Sequence, residues 1–141
     1  MIILDTNVLS ALMRSVPESA VVEWLDRQPS ESIWITSVTL FEARFGLKSL
    51  PKGKRRTALE STFETLLKED LEGRVLDFDR PAADSAAELA AARQRAGRPV
   101  DMRDTLIAGI VMARRATLAT RNVKHFADLS VSVVNPWESE R

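Results

Sequence analysis

Four residues of this chain have the types and spacing to do chemistry together: Asp5, Glu42, Asp104 and Asn122. Three bring carboxylates and the fourth an amide, so every one offers oxygen. The chain has no cysteine and a single histidine, His125, which excludes disulfides, thiolate catalysis, cysteine-based zinc sites and any multi-histidine centre. An all-oxygen donor set is hard and suits Mg²⁺ or Mn²⁺ rather than zinc. Such a cation acidifies water and polarises a phosphate, so the natural chemistry is metal-assisted phosphodiester hydrolysis.

Each residue also has an ordinary reading. Asp5 can cap a helix, since Asp is favoured at that position. Glu42 can be a first-turn acid favoured by the helix dipole. Asp101 and Asp104 resemble an N-cap and its partner three residues on; Asp101 is assigned to capping and Asp104 to the metal. Asn122 can be a turn residue, and His125 a packed or surface histidine. Taken singly these readings compete with the chemical one. Together they would have to place every acid at one edge of one sheet by coincidence.

That edge follows from the elements. Ile2-Ile3-Leu4 is a short apolar run that predicts a buried strand ending at Asp5. Thr6 and Asn7 are good N-cap types before the helix-like Val8 to Leu12. Further strands are predicted at Ile33 to Thr36, Val75 to Phe78, Thr117 to Thr120 and Val131 to Val134. Helical patterns cover Glu18 to Asp26, Val38 to Leu47, Thr57 to Leu71 with Gly73 as a stop, Pro81 to Ala96 with Gly97 at its end, and Asp101 to Arg115. Alternating strands and helices predict an α/β fold, a parallel sheet with helices on both faces. In such a sheet ligands collect at the carboxyl ends of strands. Asp5, Glu42 and Asn122 follow the first, second and fourth strands, and Asp104 opens a helix that can face the same edge. Pro51 to Arg56 reads as an exposed basic loop, and the tail after Pro136 as polar and frayed, Trp137 excepted.

Composition narrows the classes. With 141 residues, 45% hydrophobic and 28% charged, the chain fits one soluble domain with a sizeable core. Formal net charge is zero, so any nucleic-acid contact must come from a local patch. No signal peptide and no membrane-spanning stretch are visible, and the expected location is cytoplasmic.

The combined pattern resembles the PIN-domain ribonucleases, most closely the VapC/FitB-type toxins of bacterial toxin–antitoxin pairs. The matching stretches are Ile3-Leu4-Asp5-Thr6-Asn7-Val8-Leu9, Thr36-Ser37 through Glu42-Ala43 with Gly46, Asp104-Thr105-Leu106-Ile107-Ala108, and Leu118-Ala119-Thr120-Arg121-Asn122 running to His125-Phe126. They fall in family order over nearly the whole chain. The resemblance implies one PIN-like, three-layer domain over residues 1–141, with a parallel sheet of about five strands flanked by helices. It implies Mg²⁺ or Mn²⁺ dependence and endonucleolytic RNA cleavage by a metal-activated water, leaving a 5′-phosphate and a 3′-hydroxyl. By position, Asp5, Glu42 and Asp104 take the metal-ligating and catalytic roles. A fourth acid of many members is Asn122 here, which puts a second metal in doubt. Thr6, Asn7 and Thr120 support the site from behind its ligands.

RNA needs positive charge near these acids. Arg121 is the first candidate, beside the fourth strand end; Arg14, Lys124 and the Lys52, Lys54, Arg55, Arg56 segment follow. Arg93, Arg95 and Arg98 sit near a helix end, where the dipole suffices as a reason. The resemblance further implies a homodimer and a small cognate antitoxin laid across an apolar groove, for which Trp24, Phe41, Phe45 and Leu47 are candidates, Phe45 or Leu47 being the more exposed. Two other readings stand beside it. One is a non-catalytic PIN-like module binding RNA or protein. The other is a haloacid-dehalogenase-like phosphatase using Asp5, which would need an acid where Asn7 stands.

Overall fold

The structure is a computed structural model and describes residues 1–138. Strand β1 (Ile2–Leu4) lies at the centre of a five-stranded sheet. Its neighbours are β2 (Ile33–Thr36) and β4 (Thr117–Ala119); β3 (Val75–Leu76) and β5 (Val133–Val134) close the two edges. The order is β3-β2-β1-β4-β5 and every pairing is parallel. Ile3 pairs with Trp34 on one side and Leu118 on the other. The chain winds outward from β1 through β2 to β3, then crosses back to β4. The switch in direction therefore opens a crevice between the carboxyl ends of β1 and β4, the usual place for a ligand in such sheets.

Both faces of the sheet are covered, which is why its strands read as continuous apolar runs. Consecutive residues of β1 serve opposite faces. Leu4 joins a core with Val8, Val21, Trp24, Ile35 and Phe63, and Ile3 joins one with Leu89, Ile107, Ile110, Leu118 and Phe126. The first face is covered by α1 (Thr6–Leu12), α2 (Ser19–Asp26) and α4 (Lys54–Thr65). The second is covered by α5 (Arg80–Arg95) and α6 (Met102–Arg114). Helix α3 (Ser37–Lys48) leads directly from β2, with the Thr36 side chain accepting the Thr39 N–H at 3.1 Å as its cap. Among the described residues no helix is long and apolar enough to cross a membrane.

The structure trims several predicted boundaries. β3 ends at Leu76, β4 at Ala119, and β5 begins at Val133. The segment Lys54 to Arg56 is not loop but the first turn of α4, because a run of Lys and Arg is a good helix former without apolar periodicity. That helix ends in a π-turn over Leu66–Asp70, closed by the Leu71 N–H on the Leu66 carbonyl. Leu47 is buried, not exposed. Trp137 sits in a 3₁₀ turn, Pro136–Glu138, packed on α2; the rest of the tail expected to fray, 139–141, lies outside the described residues.

Candidate active site

Asp5 continues the β1–β4 ladder by donating its N–H to the Ala119 carbonyl at 2.9 Å. It is then the N-cap of α1, so the capping reading and the site reading describe the same residue. One carboxylate oxygen accepts the Thr6 N–H at 2.8 Å. The other accepts the Thr120 hydroxyl at 2.7 Å and the Asn7 amide at 3.3 Å. Asn7 also accepts the Arg121 N–H at 3.3 Å, and the Thr120 hydroxyl accepts the Asn122 N–H at 3.0 Å. The turn after β4 is thereby stitched to the turn after β1. Asp5 is only 4% exposed. Burial pushes its carboxyl above the usual carboxylate range; the bonds from Thr120 and the Thr6 N–H pull the other way, and the charges of Asp104 and Glu42 add to the rise.

Glu42 sits in the second turn of α3 and not the first, so the helix dipole does not explain it. Its Oε1 accepts the Thr6 hydroxyl at 2.6 Å, and that hydroxyl lies 3.1 Å from the Thr39 hydroxyl. Its Oε2 pairs with Arg103 Nη1 at 3.1 Å. Asp104 stands in the first turn of α6, its N–H capped by Asp101 at 3.0 Å, as its spacing predicts. Its Oδ2 lies 3.5 Å from His125 Nδ1. Both outer acids remain partly accessible, while Asp5 forms the floor.

The three carboxylates thus share one sheet edge and feel each other's charge. Among the described residues, no three acid or histidine side chains close into a ready-made metal cage. The reason is local pairing: Glu42 is held by Thr6 and Arg103, and Asp104 leans toward His125. The donor set still fits a hard divalent cation, being all oxygen, with a buried floor whose ionised form a cation would favour. Asn122 is exposed, just before the 3₁₀ turn Val123–Phe126.

The predicted RNA contacts are distributed differently. Arg14 pairs with Glu18 at 2.5 Å. Arg121 lies over the Trp137 ring at 4.7 Å, and the Trp137 indole N–H donates to Glu18. Lys54 is exposed on α4. Arg93, assigned to the helix dipole by sequence, is instead 4% exposed and forms a two-pronged pair with Asp128, at 2.9 and 3.0 Å. Those bonds hold the Asp128 carboxyl below the usual range. Sequence reasoning missed Arg103, Thr39 and the Asp104–His125 approach. Only adjacency to Asp104 could have flagged Arg103.

A second concavity, about 700 Å³, runs between α1, α3 and α4 from Thr6 and Glu42 past Ala43, Leu47 and Leu59. Trp24 and Leu47 are core, whereas Phe41 and Phe45 are each 61% exposed and stack at 6.1 Å between ring centres.

A family model described as PIN domain matches residues 2–131. The chain is 39% identical over 138 residues to the VapC ribonuclease Y4jK of Sinorhizobium fredii, covering 98% of this chain and 99% of that one. It is 34% identical over 137 residues to Toxin FitB of Neisseria gonorrhoeae, covering 97% and 99% of the two chains. A chain in the crystal structure of FitAcB from Neisseria gonorrhoeae superposes with a TM-score of 0.89 at 34% identity, over 99% of this chain and 100% of that one.

Proposed function

The chain belongs to the PIN-domain family, and from that premise we propose that it is a metal-dependent endoribonuclease serving as the toxin of a toxin–antitoxin pair. The observation that carries this reading is the buried Asp5 at the β1–β4 crevice, with Glu42 and Asp104 within electrostatic reach. PIN-domain nucleases are metal-dependent enzymes. Here Asp5, Glu42 and Asp104 would hold the ion, and their all-oxygen chemistry favours Mg²⁺ or Mn²⁺. When bound, the ion supplies Lewis-acid chemistry: charge compensation for the phosphodiester and acidification of water.

The chain's own residues do the positioning. Thr120 and Asn7 fix one oxygen of Asp5, leaving little rotational freedom to lose on binding. Thr6 ties the floor to one outer acid, its N–H on Asp5 and its hydroxyl on Glu42. Arg103 restrains the other Glu42 oxygen, and displacement of that pair frees it to turn inward. Asn7 gives Asp5 an amide donor, not the second acid a phospho-aspartate mechanism needs, which disfavours the phosphatase reading.

The concavity from Thr6 and Glu42 along α3 and α4 suits an antitoxin segment, because whatever lies there covers the approach to Glu42. The exposed, stacked Phe41 and Phe45 form apolar surface of the kind used between subunits, and support a homodimer. A cytoplasmic location fits this role.

The test is RNA cleavage by the purified protein with added Mg²⁺ or Mn²⁺. Cleavage should stop with EDTA and fall at least about a hundredfold in Asp5→Asn, more than loss of an outer partner alone would cost. Unchanged cleavage by Asp5→Asn would sink the assignment. Growth arrest on expression, relieved by a co-expressed antitoxin, separates a toxin from a housekeeping nuclease.

A further inference from the structure

Beside Asp104, cations arrive from two short segments, the end of α5 and the 3₁₀ turn after β4. Gly97 sits in the left-handed region at φ 71°, a conformation glycine adopts without a steric penalty. Its N–H donates to the Gln94 carbonyl at 3.0 Å and the Arg98 N–H donates to the Arg93 carbonyl at 2.9 Å. These two bonds are the paired closure of a Schellman cap. The cap turns the chain so that Arg98 Nη1 reaches Asp128 Oδ2 at 2.8 Å.

Asp128 is also gripped by the buried Arg93, whose Nε shares Oδ2 with Arg98 and whose Nη2 takes Oδ1. Arg93 also donates to the His125 carbonyl at 2.8 Å and approaches the Thr105 hydroxyl at 3.4 Å. One buried guanidinium therefore joins the end of α5, the first turn of α6 beside Asp104, and the turn bearing Lys124 and His125. A cavity of about 240 Å³ lies among these elements, lined by Arg98, Pro99, Asp101, Asp104, Lys124 and His125 together with the buried Arg93.

The charges of that lining are not equally available. Arg93 is committed to Asp128, and Asp101 to capping α6. Lys124 makes no ion pair among the described residues. Arg98 is 40% exposed in its side chain and, among the described residues, pairs with one carboxylate, which it shares with Arg93. Two accessible cations therefore line the same hollow as Asp104. The one ring in the lining, His125, turns its Nδ1 to Asp104 at 3.5 Å, whereas a phosphate finds a guanidinium already held in place and an ammonium on a flexible stem. We propose that this cavity is a subsite for a backbone phosphate of the RNA strand, next to the phosphodiester that is cut. Lys124 and Arg98 are its contacts, and Arg93 and Asp128 are the positioning residues behind Arg98. The proposal rests on the nuclease reading above.

The experiment uses the full chain with a labelled RNA that the wild type cuts, over a range of salt. RNA binding is measured in parallel on the Asp5→Asn protein. Lys124→Ala and Arg98→Ala should each raise KM about tenfold and leave kcat within about twofold. Each should also flatten the log–log salt dependence of binding by about 0.7, the value for one phosphate contact on a single strand. Arg98→Lys should recover part of the KM. Arg115→Ala, at the opposite end of α6, removes the same charge and should change neither quantity. A purely structural role would lower kcat or the folded fraction and leave the salt slope alone. If the wild type cuts RNA while both variants match Arg115→Ala in KM and slope, the subsite is wrong and the nuclease reading stands. If the variants lose antitoxin binding with RNA kinetics unchanged, the cavity serves a partner's carboxylates and the proposal is overturned. A wild type that neither cuts nor binds RNA overturns both.

Discussion

Asp5 holds two roles that pull against each other. As the cap of α1 and the acceptor for Thr120 and Asn7 it organises the site, yet burial raises its pKa above the unfolded carboxylate. The sign of the consequence follows from linkage. A folded-state pKa above the unfolded value of about 3.9 means the group's contribution to stability is fully present below about pH 3.9 and is lost as pH rises through the folded value. At pH 7 the ionised Asp5 therefore costs stability in the ion-free protein. Asn keeps an acceptor for the Thr6 N–H and removes the charge. In EDTA at pH 7, Asp5→Asn should unfold at higher urea than the wild type, and the gap should narrow as pH falls through the raised folded value of Asp5 toward about 3.9. A lower midpoint at pH 7 would mean that the hydrogen bonds outweigh burial. The same substitution is expected to abolish cleavage, so stability and activity move in opposite directions at one atom.

Between elements, the tightest constraint is the α5–α6 contact, since α6 carries Asp104. A Cβ on Gly109 would stand 2.5 Å from the Ala82 carbonyl oxygen and 2.7 Å from the Ala86 Cβ. The obstacle is helix backbone, which cannot step aside as a side-chain tip would. Gly109→Ala should therefore cost about 1–3 kcal/mol in urea unfolding despite the better helix propensity of alanine. A neutral or stabilising result would show that α5 can slide away. This pairing was only half legible in sequence. The alanine-rich α5 and the Leu106, Ile107, Ile110, Val111 stripe of α6 announce two helices, but nothing local says that Gly109 meets Ala82 and Ala86. The strands were legible because both faces of the sheet are buried and demand continuous apolar runs. Their ends were not, because pairing with a two-residue edge strand such as β3 or β5 sets where hydrogen bonding stops. In the site, the one-edge placement of Asp5, Glu42 and Asp104 could be argued from topology. The Glu42–Arg103 and Arg93–Asp128 pairs could not, because each is a tertiary meeting of residues far apart in sequence. Arg93 in particular looks like any helix-end arginine until Asp128 folds over it.

For the whole molecule, 20 basic and 20 acidic side chains cancel, so no net field draws RNA from a distance. Much of the local positive charge is also spent: Arg14 on Glu18, Arg44 on Glu64, Arg103 on Glu42, Arg114 on Asp79. Arg121 is stacked on Trp137. Binding should then rely on a few short-range phosphate contacts near the acids, and its salt dependence should be shallow. With two to four contacts on a single strand, the slope of log K against log salt is expected between about −1 and −3. Association should run near the unsteered value, about 10⁵–10⁶ M⁻¹s⁻¹, and change little with ionic strength. Fluorescence-anisotropy titrations of labelled RNA with the Asp5→Asn protein, across a series of salt concentrations, measure the slope directly. A slope steeper than about −5 would require a broad basic surface, to which the Lys54 to Arg56 turn of α4 would contribute. That outcome would move the RNA path away from the end of α6 and onto α4.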